Sequence, residues 1–317
     1  MTERILLGDV GGTNARFAVM IGGTIGPIEH LRVAEYARLD DALAVYLARQ
    51  NDVAPIRSAL FAVAGVVEGE RCPLTNSAWV VDAAEIRAHF GFADVRLIND
   101  FEAVAWSVPN FTCQDLRQLG GGKPNSDAPM LAIGPGTGLG VAVFVPNGKN
   151  GRVLKSEGGH TTLPSGSIRE DAIIATLRQS FGHVSAERIL SGPGLENLYC
   201  TIAKLDGLTV PERSAREITR VAIAGSCAVC RAALDTFCAV LGEVAGNFAL
   251  GFGAKGGVFI GGGFVPRMRD FLAASQFRAR FDAKGRMSAY VQAIPVYLIL
   301  HDDPAFVGLK SLAESRA

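Results

Sequence analysis

The chain has 317 residues, of which 49% are apolar and 20% are charged, and its 31 basic and 31 acidic residues cancel. This length exceeds one ordinary domain, and these fractions exclude a disordered protein. A net charge of zero without a basic stripe argues against a nucleic-acid binder. Asp9 interrupts the apolar start of the chain, and Gly134-Pro135-Gly136 interrupts the apolar stretch 130–145. We therefore expect neither a leader peptide nor a membrane span, which favours a cytoplasmic protein.

The first predicted element is a β-hairpin whose strands, 5–7 and 16–19, flank a glycine-rich turn. Closely spaced glycines can bring backbone N–H groups within hydrogen-bonding distance of phosphate oxygens. Asp9 follows a buried strand, where a carboxylate needs a cation, a water or hydrogen-bond donors, and Mg²⁺ held through water suits it. The alternative is a plain hairpin that uses glycine for its shape. The candidate phosphate-binding residues are Gly8, Asp9, Val10, Gly11, Gly12 and Thr13.

A strand predicted at 95–98 runs into Asn99 and Asp100, and a helix follows directly. In open α/β sheets, ligands bind at the carboxyl ends of the strands. An aspartate there can accept the proton of an attacking hydroxyl, and an asparagine can both donate and accept hydrogen bonds. On local spacing alone, an Asx turn that caps the helix explains the pair better. The elements predicted between the hairpin and this pair are a helix at 40–50, a strand at 59–63 and a helix at 82–89.

A second glycine-rich hairpin follows a polar linker at 109–129, which we take as the domain boundary. Its strands are predicted at 131–133 and 139–145. The turn lacks the GK[ST] of a Walker loop, and it precedes a strand where a dinucleotide fingerprint would precede a helix. Two such hairpins, one opening each half, favour nucleotide binding and indicate two copies of a related α/β unit. The candidate residues here are Gly134, Gly136 and Thr137.

Glu157 and His160 flank two glycines in a segment predicted to be a loop. The spacing is that of the Glu-x-x-His pair in di-metal bundles, but adjacent glycines disfavour a helix and no second copy exists. A polyhydroxyl ligand suits the loop better, because an ionised carboxylate can accept hydrogen bonds from two adjacent hydroxyls. Glu187 could add another acceptor, although an ordinary surface glutamate at a helix end is the alternative.

The second half continues with a long helical region predicted at 214–250 and a strand at 257–260. A glycine run, Gly261, Gly262 and Gly263, then leads to a helix predicted from Pro266. The glycine run either approaches a flat or anionic group or forms a tight turn without a ligand.

The six cysteines are predicted to be reduced thiols. Cys227 and Cys230 form a CxxC pair, but the second ligand pair that zinc requires does not follow. Because Cys227, Cys230, Leu234 and Cys238 fall on one helical stripe, we predict a buried helix face.

Together these motifs resemble the bacterial glucokinase family of the hexokinase/actin-like superfamily. The matching stretches follow the family's order over nearly the whole chain: LLGDVGGTNARFAV, LINDFEAVA, AIGPGTGLGVA, SEGGHTTL, ERILSGPGLENLY and GGVFIGGGFVPR. The resemblance implies a two-domain actin-like (ribonuclease H-like) α/β fold, with mixed sheets flanked by helices and a deep interdomain cleft. The expected domains are a small one, 1–110 plus 301–317, and a large one, 111–300.

The resemblance also implies an activity, namely transfer of the γ-phosphoryl group of ATP, with Mg²⁺, to the 6-hydroxyl of glucose. Asp100 matches the family's general base, and Gly261–Gly263 would lie near the adenosine. Homodimers are expected. No structural zinc is expected, because the residues directly after His160, 161–164, contain none of the cysteines that form a zinc motif at this place in the related repressor/kinase group. The implied sugar ligands are Asn76, Asn99, Asp100, Glu157, His160 and Glu187.

Three alternatives stay open at this point. The chain could be a kinase of another hexose, such as fructose or mannose. A sugar-responsive repressor on the same fold would need a DNA-binding helix-turn-helix, which we do not expect here. A non-catalytic sugar-binding protein would not need both phosphate hairpins together with Asp100.

Overall fold

The computed structural model describes residues 3–50, 55–75, 77–148 and 150–315. The chain divides into two compact units. Unit 1 consists of Met1–Phe111 and Asp302–Ala317, and unit 2 consists of Thr112–His301. Each unit has its own mixed sheet and its own apolar core.

Strands and helices are mixed along the chain. The strands are β1 (Arg4–Val10), β2 (Asn14–Ile21), β3 (Thr24–Ile25), β4 (Glu29–Arg32), β5 (Ser58–Val63), β6 (Arg71–Pro73), β7 (Val80–Asp82), β8 (Asp94–Asn99), β9 (Leu116–Gly120), β10 (Met130–Pro135), β11 (Leu139–Asn147), β12 (Asn150–Ser156), β13 (Gly257–Ile260) and β14 (Val296–Ile299). The helices are α1 (Leu39–Ala48), α2 (Ala83–Phe90), α3 (Asp100–Ser107), α4 (Ile168–Phe181), α5 (Gly192–Leu205), α6 (Ala215–Ile223), α7 (Ala228–Phe252), α8 (Arg269–Ala274), α9 (Phe277–Asp282), α10 (Ser288–Gln292) and α11 (Pro304–Glu314).

The sheet of unit 1 has the strand order β3-β2-β1-β5-β8, with β4 also paired to β2. The hairpin strands β1 and β2 are antiparallel, whereas β1, β5 and β8 run parallel. Strands β1 and β5 are apolar and almost fully buried, as expected for central strands covered on both faces. Helices α3 and α11 pack against each other on this sheet. The carboxyl end of β8 therefore leads straight into α3, where the Asn99–Asp100 pair lies.

The sheet of unit 2 has the order β12-β11-β10-β13-β14-β9. Its first five strands repeat the pattern of unit 1, because β12, β11 and β10 are antiparallel in turn while β10, β13 and β14 are parallel. The predicted internal repeat of two related α/β units is therefore confirmed. Strand β9 extends the second sheet as an antiparallel edge beside β14.

Most predicted elements appear within one or two residues of their expected positions, but the helical region predicted at 214–250 is not one continuous helix. Two helices, α6 and α7, replace it. Helix α6 ends where Gly225 adopts a positive φ of 70°, a conformation that favours glycine. The helix predicted from Pro266 is also only partly right, because a 3-10 turn at Val265–Met268 precedes α8.

Among the described residues, no single helix is both long and apolar enough to span a membrane. The bent pair α6 and α7, which turns by 102° at its break, passes the same test when its two helices are counted together.

The cysteine stripe predicted along one helix face is correct for Cys230 and Cys238 but not for Cys227. Cys230 and Cys238 lie fully buried in α7 with Leu234. Cys227 precedes the helix with extended backbone angles and is its N-cap, and its Sγ accepts a hydrogen bond from the Cys230 N–H at 3.4 Å. The helix break after α6 moves Cys227 off the stripe.

Candidate active site

Asn99 and Asp100 lie at the junction of β8 and α3 in unit 1. The Asn99 Oδ1 accepts hydrogen bonds from the N–H groups of Phe101, at 2.9 Å, and Glu102, at 3.3 Å. The Asn99 Nδ2 donates to the Gly65 carbonyl at 3.1 Å. Asn99 is therefore the N-cap of α3, and the local interpretation as a helix cap is confirmed. The cap holds the adjacent Asp100 in place as the first residue of the helix.

Asp100 is a half-buried carboxylate with a strongly perturbed acidity. Burial, reinforced by the negative charge of Asp9, raises the pKa of Asp100 to about 7. The hydrogen bond from the Phe101 N–H to Asp100 Oδ1, 2.9 Å long, opposes this shift only in part. A carboxylate with a pKa near neutrality can take up a proton from a substrate hydroxyl, which suits a general base.

Asp9 lies near the end of β1 and pairs with Arg16 on the facing strand β2. The Arg16 Nη1 donates to Asp9 Oδ2 at 2.7 Å and is 3.7 Å from Asp303 Oδ1. Burial nevertheless raises the pKa of Asp9 above its usual value, because it outweighs the attraction of the Arg16 guanidinium. Arg16 was not among the site residues predicted from the sequence. Its cross-strand register with Asp9 was a signal that could have identified it, because residues facing each other across a hairpin interact.

The glycines of the first hairpin serve two different purposes. Gly8, Asp9 and Val10 lie within β1, so the prediction that they form part of the turn is wrong. A Cβ on Gly8 would overlap the Phe61 ring, so this glycine is required for packing between β1 and β5. The turn itself consists of Gly11, Gly12 and Thr13, and the Gly11 N–H closes it by donating to the Asn14 carbonyl at 3.0 Å.

The second hairpin turn, in unit 2, is tied to the start of a long helix. Gly134 lies in β10, so only Gly136 and Thr137 of the three candidates are in the turn. The Gly136 N–H donates to the Gly138 carbonyl at 2.8 Å, and the Gly136 carbonyl accepts from the Gly192 N–H at 2.9 Å. Gly192 is the first residue of α5, so the turn lies against a helix N-terminus. Such an end favours anions, because its N–H groups and dipole attract negative charge.

The glycine run after β13 packs against the same hairpin. The Gly261 N–H donates to the Ile133 carbonyl at 2.9 Å. Gly262 has a φ of 104°, and a Cβ there would overlap the Pro135 carbonyl. This turn therefore requires glycine for its backbone conformation and for its close approach to β10. The geometry accounts for the glycines of this turn, and the expected proximity to adenosine stays a prediction.

Glu157 precedes a 3-10 turn, Gly158–His160, and His160 is its last residue, where the sequence predicted a loop without helical structure. Their side chains are 63% and 61% exposed, and the His160 Nε2 is 3.9 Å from Glu157 Oε2. A Cβ on Gly159 would overlap the Leu139 carbonyl, so the two glycines let the turn lie directly on the start of β11. The turn thus displays both polar groups to solvent beside the second hairpin.

Glu187 is held against the second hairpin as well. It is half-buried in a 3-10 turn, Ala186–Arg188, and its Oε2 accepts from the Leu139 N–H at 2.9 Å. The Ala186 N–H donates to the Thr161 carbonyl at 2.9 Å, which joins this turn to the one that follows Glu157. The interpretation of Glu187 as an ordinary surface glutamate is therefore wrong. Within unit 2, the structure brings Glu157, His160, Glu187 and the hairpin turn to one place.

Asn76, the remaining predicted sugar ligand, lies outside the described residues. Among the residues that are described, no group of three or more His, Cys, Asp or Glu side chains is arranged to hold a metal ion.

Comparisons with known proteins show the family of this chain. The glucokinase family model matches residues 6–316. The chain belongs to the glucokinase family. A glucokinase of Paramagnetospirillum magneticum is 46% identical over 316 residues, which cover 98% of each chain. The crystal structure of a glucokinase from an Antarctic psychrotroph superimposes with a TM-score of 0.87 at 36% identity, covering 98% of this chain and 99% of that one.

A more distant structure shares the fold of the glucokinase family. A ROK family glucokinase from Streptomyces griseus, in complex with glucose and AMPPNP, has a TM-score of 0.65 at 18% identity and covers 98% of this chain and 99% of its own. The predicted fold class, a two-domain actin-like α/β architecture with mixed sheets flanked by helices, is confirmed. The resemblance that the sequence motifs indicated is likewise confirmed.

Proposed function

We propose that this member of the glucokinase family transfers the γ-phosphoryl group of ATP to the 6-hydroxyl of D-glucose, giving glucose 6-phosphate and ADP. The family model and the curated relative support the activity. The observation that supports the chemistry best is the pKa of Asp100, which is raised to about 7. Asp100 is the first residue of α3 and directly follows the end of the parallel strand β8. The proposal assigns Asp100 as the general base.

In this mechanism Asp100 aligns the attacking hydroxyl and takes up its proton as the new O–P bond forms. Phosphoryl transfer needs positioning and electrostatic stabilisation more than covalent chemistry from the protein. A base with a pKa near 7 is deprotonated for part of the time at neutral pH and still accepts a proton readily. The hydrogen bonds of Asn99 to the first turn of α3 keep the carboxylate in its place.

Sugar recognition is assigned to the polar side chains that the sequence motifs singled out. Glu157 and His160 are exposed, and an ionised carboxylate can hold two neighbouring hydroxyls. Glu187 uses one oxygen for the Leu139 N–H, which fixes its orientation. The proposed sugar ligands are Asn76, Asn99, Asp100, Glu157, His160 and Glu187.

Nucleotide binding is assigned to the two hairpins and the glycine run, through Gly8–Thr13, Gly134–Thr137 and Gly261–Gly263. The α5 N-terminus beside Gly136 supports a phosphate position there. The carboxylate of Asp9 fits Mg²⁺ bound with ATP, because burial, together with the negative charge of Asp303, raises the pKa of Asp9 and a cation would offset this. Mg²⁺ would supply charge neutralisation of the phosphates, with Asp9 reaching it through water.

The pH dependence of turnover tests the role of Asp100. Because the base must be deprotonated and its pKa is about 7, kcat/KM for glucose should rise with pH and level off above pH 8. At pH 6 it should be about a tenth of the plateau. Initial rates at saturating ATP between pH 5.5 and 8.5 measure this. A profile that is flat from pH 6 to pH 8 would contradict the assignment.

Replacing Glu157 tests the sugar site. We expect Glu157→Gln to raise the KM for glucose by about 10- to 100-fold, because hydrogen bonds to a charged acceptor are worth roughly 1.5–3 kcal/mol. The fold should be unaffected, since the side chain is mostly exposed. Glu212→Gln, which changes an exposed glutamate of the same unit, is the matched control. An unchanged KM in Glu157→Gln would move the sugar site elsewhere.

A coupled kinase assay with a panel of hexoses and phosphoryl donors tests the proposed reaction directly. Glucose with ATP should give the highest kcat/KM. Higher values with fructose or mannose would favour a kinase of another hexose, and the absence of turnover with all of them would favour a non-catalytic sugar-binding protein. We also propose a cytoplasmic homodimer, for which light scattering of the purified protein provides the test of assembly.

A further inference from the structure

The start of helix α7 places two thiols side by side. Cys227 is the N-cap and Cys230 is the third residue of the helix, and the Cys227 Sγ accepts from the Cys230 N–H at 3.4 Å. Cys227 is half-buried, whereas Cys230 is fully buried beneath it. Neither residue belongs to the phosphoryl-transfer machinery described above. One thiol of the pair can therefore meet a solute, and the other can be reached only through the first.

The surroundings favour a thiolate at the outer position. Hydrogen bonds from the Cys230 backbone N–H, the Cys230 thiol and the Val229 N–H lower the pKa of Cys227, and the charge of Arg213 lowers it further. Burial, with the neighbouring Cys227 thiol, raises the pKa of Cys230 to about 11. This asymmetry is typical of CxxC pairs in which the first thiol attacks and the second resolves.

The positive charge of Arg213 favours the thiolate form of both cysteines. Arg213 is half-buried in the segment before α6 and interacts with Tyr199 of α5, and its charge acts on both cysteines. Its Nε is buried and has no hydrogen-bond partner. A buried donor without an acceptor costs free energy, and a negative charge nearby would offset that cost. The Arg213 cation and the Tyr199 phenol thus interact with both thiols.

We propose that Cys227 and Cys230 form a redox-active dithiol that exchanges with small disulfides of the glutathione type. The Cys227 thiolate attacks one sulfur of the glutathione disulfide, forms a mixed disulfide and releases one glutathione thiolate. The Cys230 sulfur then attacks Cys227 Sγ, its proton passes to the leaving sulfur, and a second glutathione departs. The protein loses two electrons and two protons, and one glutathione disulfide becomes two glutathiones.

Mass spectrometry after equilibration in a glutathione redox buffer at pH 7.5 tests the proposal on the full chain. After acid quenching and alkylation, the peptide that contains both cysteines should lack two hydrogens and resist alkylation. Cys113 and Cys200 are more exposed and provide internal controls, which should carry mixed disulfides at most. If exposure alone governs reactivity, these two will be modified first and the 227–230 peptide will stay reduced, which would overturn the proposal.

Single variants separate the two thiols. Cys230→Ala should trap one glutathione on Cys227 that persists, because the resolving thiol is missing. Cys227→Ser keeps a good helix cap and should leave the buried Cys230 unmodified. In the Cys230→Ala background, Arg213→Gln should slow glutathione addition at Cys227 roughly three- to tenfold, and Arg213→Lys should restore it. A persistent glutathione adduct on Cys227 in the unmutated protein would contradict the resolving role of Cys230.

Discussion

Asp100→Asn is expected to lower kcat by about 10²–10⁴-fold while ATP binding persists, because the amide cannot take up the proton of the attacking hydroxyl. The substitution retains an oxygen that can accept from the Phe101 N–H, so the start of α3 should keep its geometry. Steady-state kinetics give kcat, and calorimetric titration gives the affinity for ATP. Near-normal turnover would remove Asp100 as the base.

The same variant should be more stable than the unmutated protein above pH 7, which separates lost chemistry from lost folding. The pKa of Asp100 is raised from 3.8 to about 7 in the folded state, so folding favours the protonated form. Stability is therefore lost as pH rises through this range, and Asn avoids the loss. We expect a gain on the order of 2–4 kcal/mol at pH 8 and little at pH 4. Urea unfolding at both pH values measures it, with Asp94→Asn, at the exposed end of β8, as the control.

Gly308→Ala is expected to produce the largest loss of stability in unit 1. Gly308 lies on the buried face of α11, where a Cβ would overlap the Ala103 carbonyl of α3. Because the overlapping atom belongs to the backbone of α3, it cannot move aside as the end of a flexible side chain can. The helices α3 and α11 must therefore move apart to accommodate the alanine. Overpacking of this kind costs about 1–3 kcal/mol or more. Because α3 begins at Asp100, turnover should fall as well.

Gly251→Ala provides the matched control for this experiment. Gly251 is also a helical glycine, near the end of α7, but nothing lies within 4 Å of the position that its Cβ would take. Alanine there should leave stability unchanged or raise it by up to about 1 kcal/mol. Denaturant unfolding compares the two variants. Equal effects of Gly308→Ala and Gly251→Ala would show that α11 and α3 are not closely packed.

Local patterns in the sequence were sufficient for the elements that carry most of the site. The strand that ends at Asn99, the helix that starts at Asp100 and both hairpins follow from hydrophobic alternation and glycine placement. Sequence spacing correctly favoured a helix cap for Asn99. The catalytic interpretation of Asp100 depended on the other motifs of the family in the same chain, namely the two glycine-rich hairpins and the loop with Glu157 and His160.

Long-range packing accounts for the errors. The glycine pattern placed Gly8 in the hairpin turn, but Gly8 lies in β1 and packs against the ring of Phe61 on β5. Glu187 appeared to be a surface residue, because its partner Leu139 is distant in sequence. Cys227 fell on the helical stripe only while the break between α6 and α7 went unrecognised. For Gly8 and Glu187, the contact that determines the role of the residue joins residues that are distant in sequence, so the local pattern of apolar and polar residues could not predict it.

The order in which the chain is synthesised gives the packing of α11 on α3 a further consequence. Residues of unit 1 up to Phe111 leave the ribosome first, and α11 follows only after all of unit 2 has been made. At typical rates of translation this delay is on the order of ten seconds or more. During that time the face of α3 that α11 will cover stays exposed, so a nascent chain contains Asp100 but not the helix that packs against α3. Completion of unit 1 is thus a late event in biosynthesis, and unit 2 can fold before it.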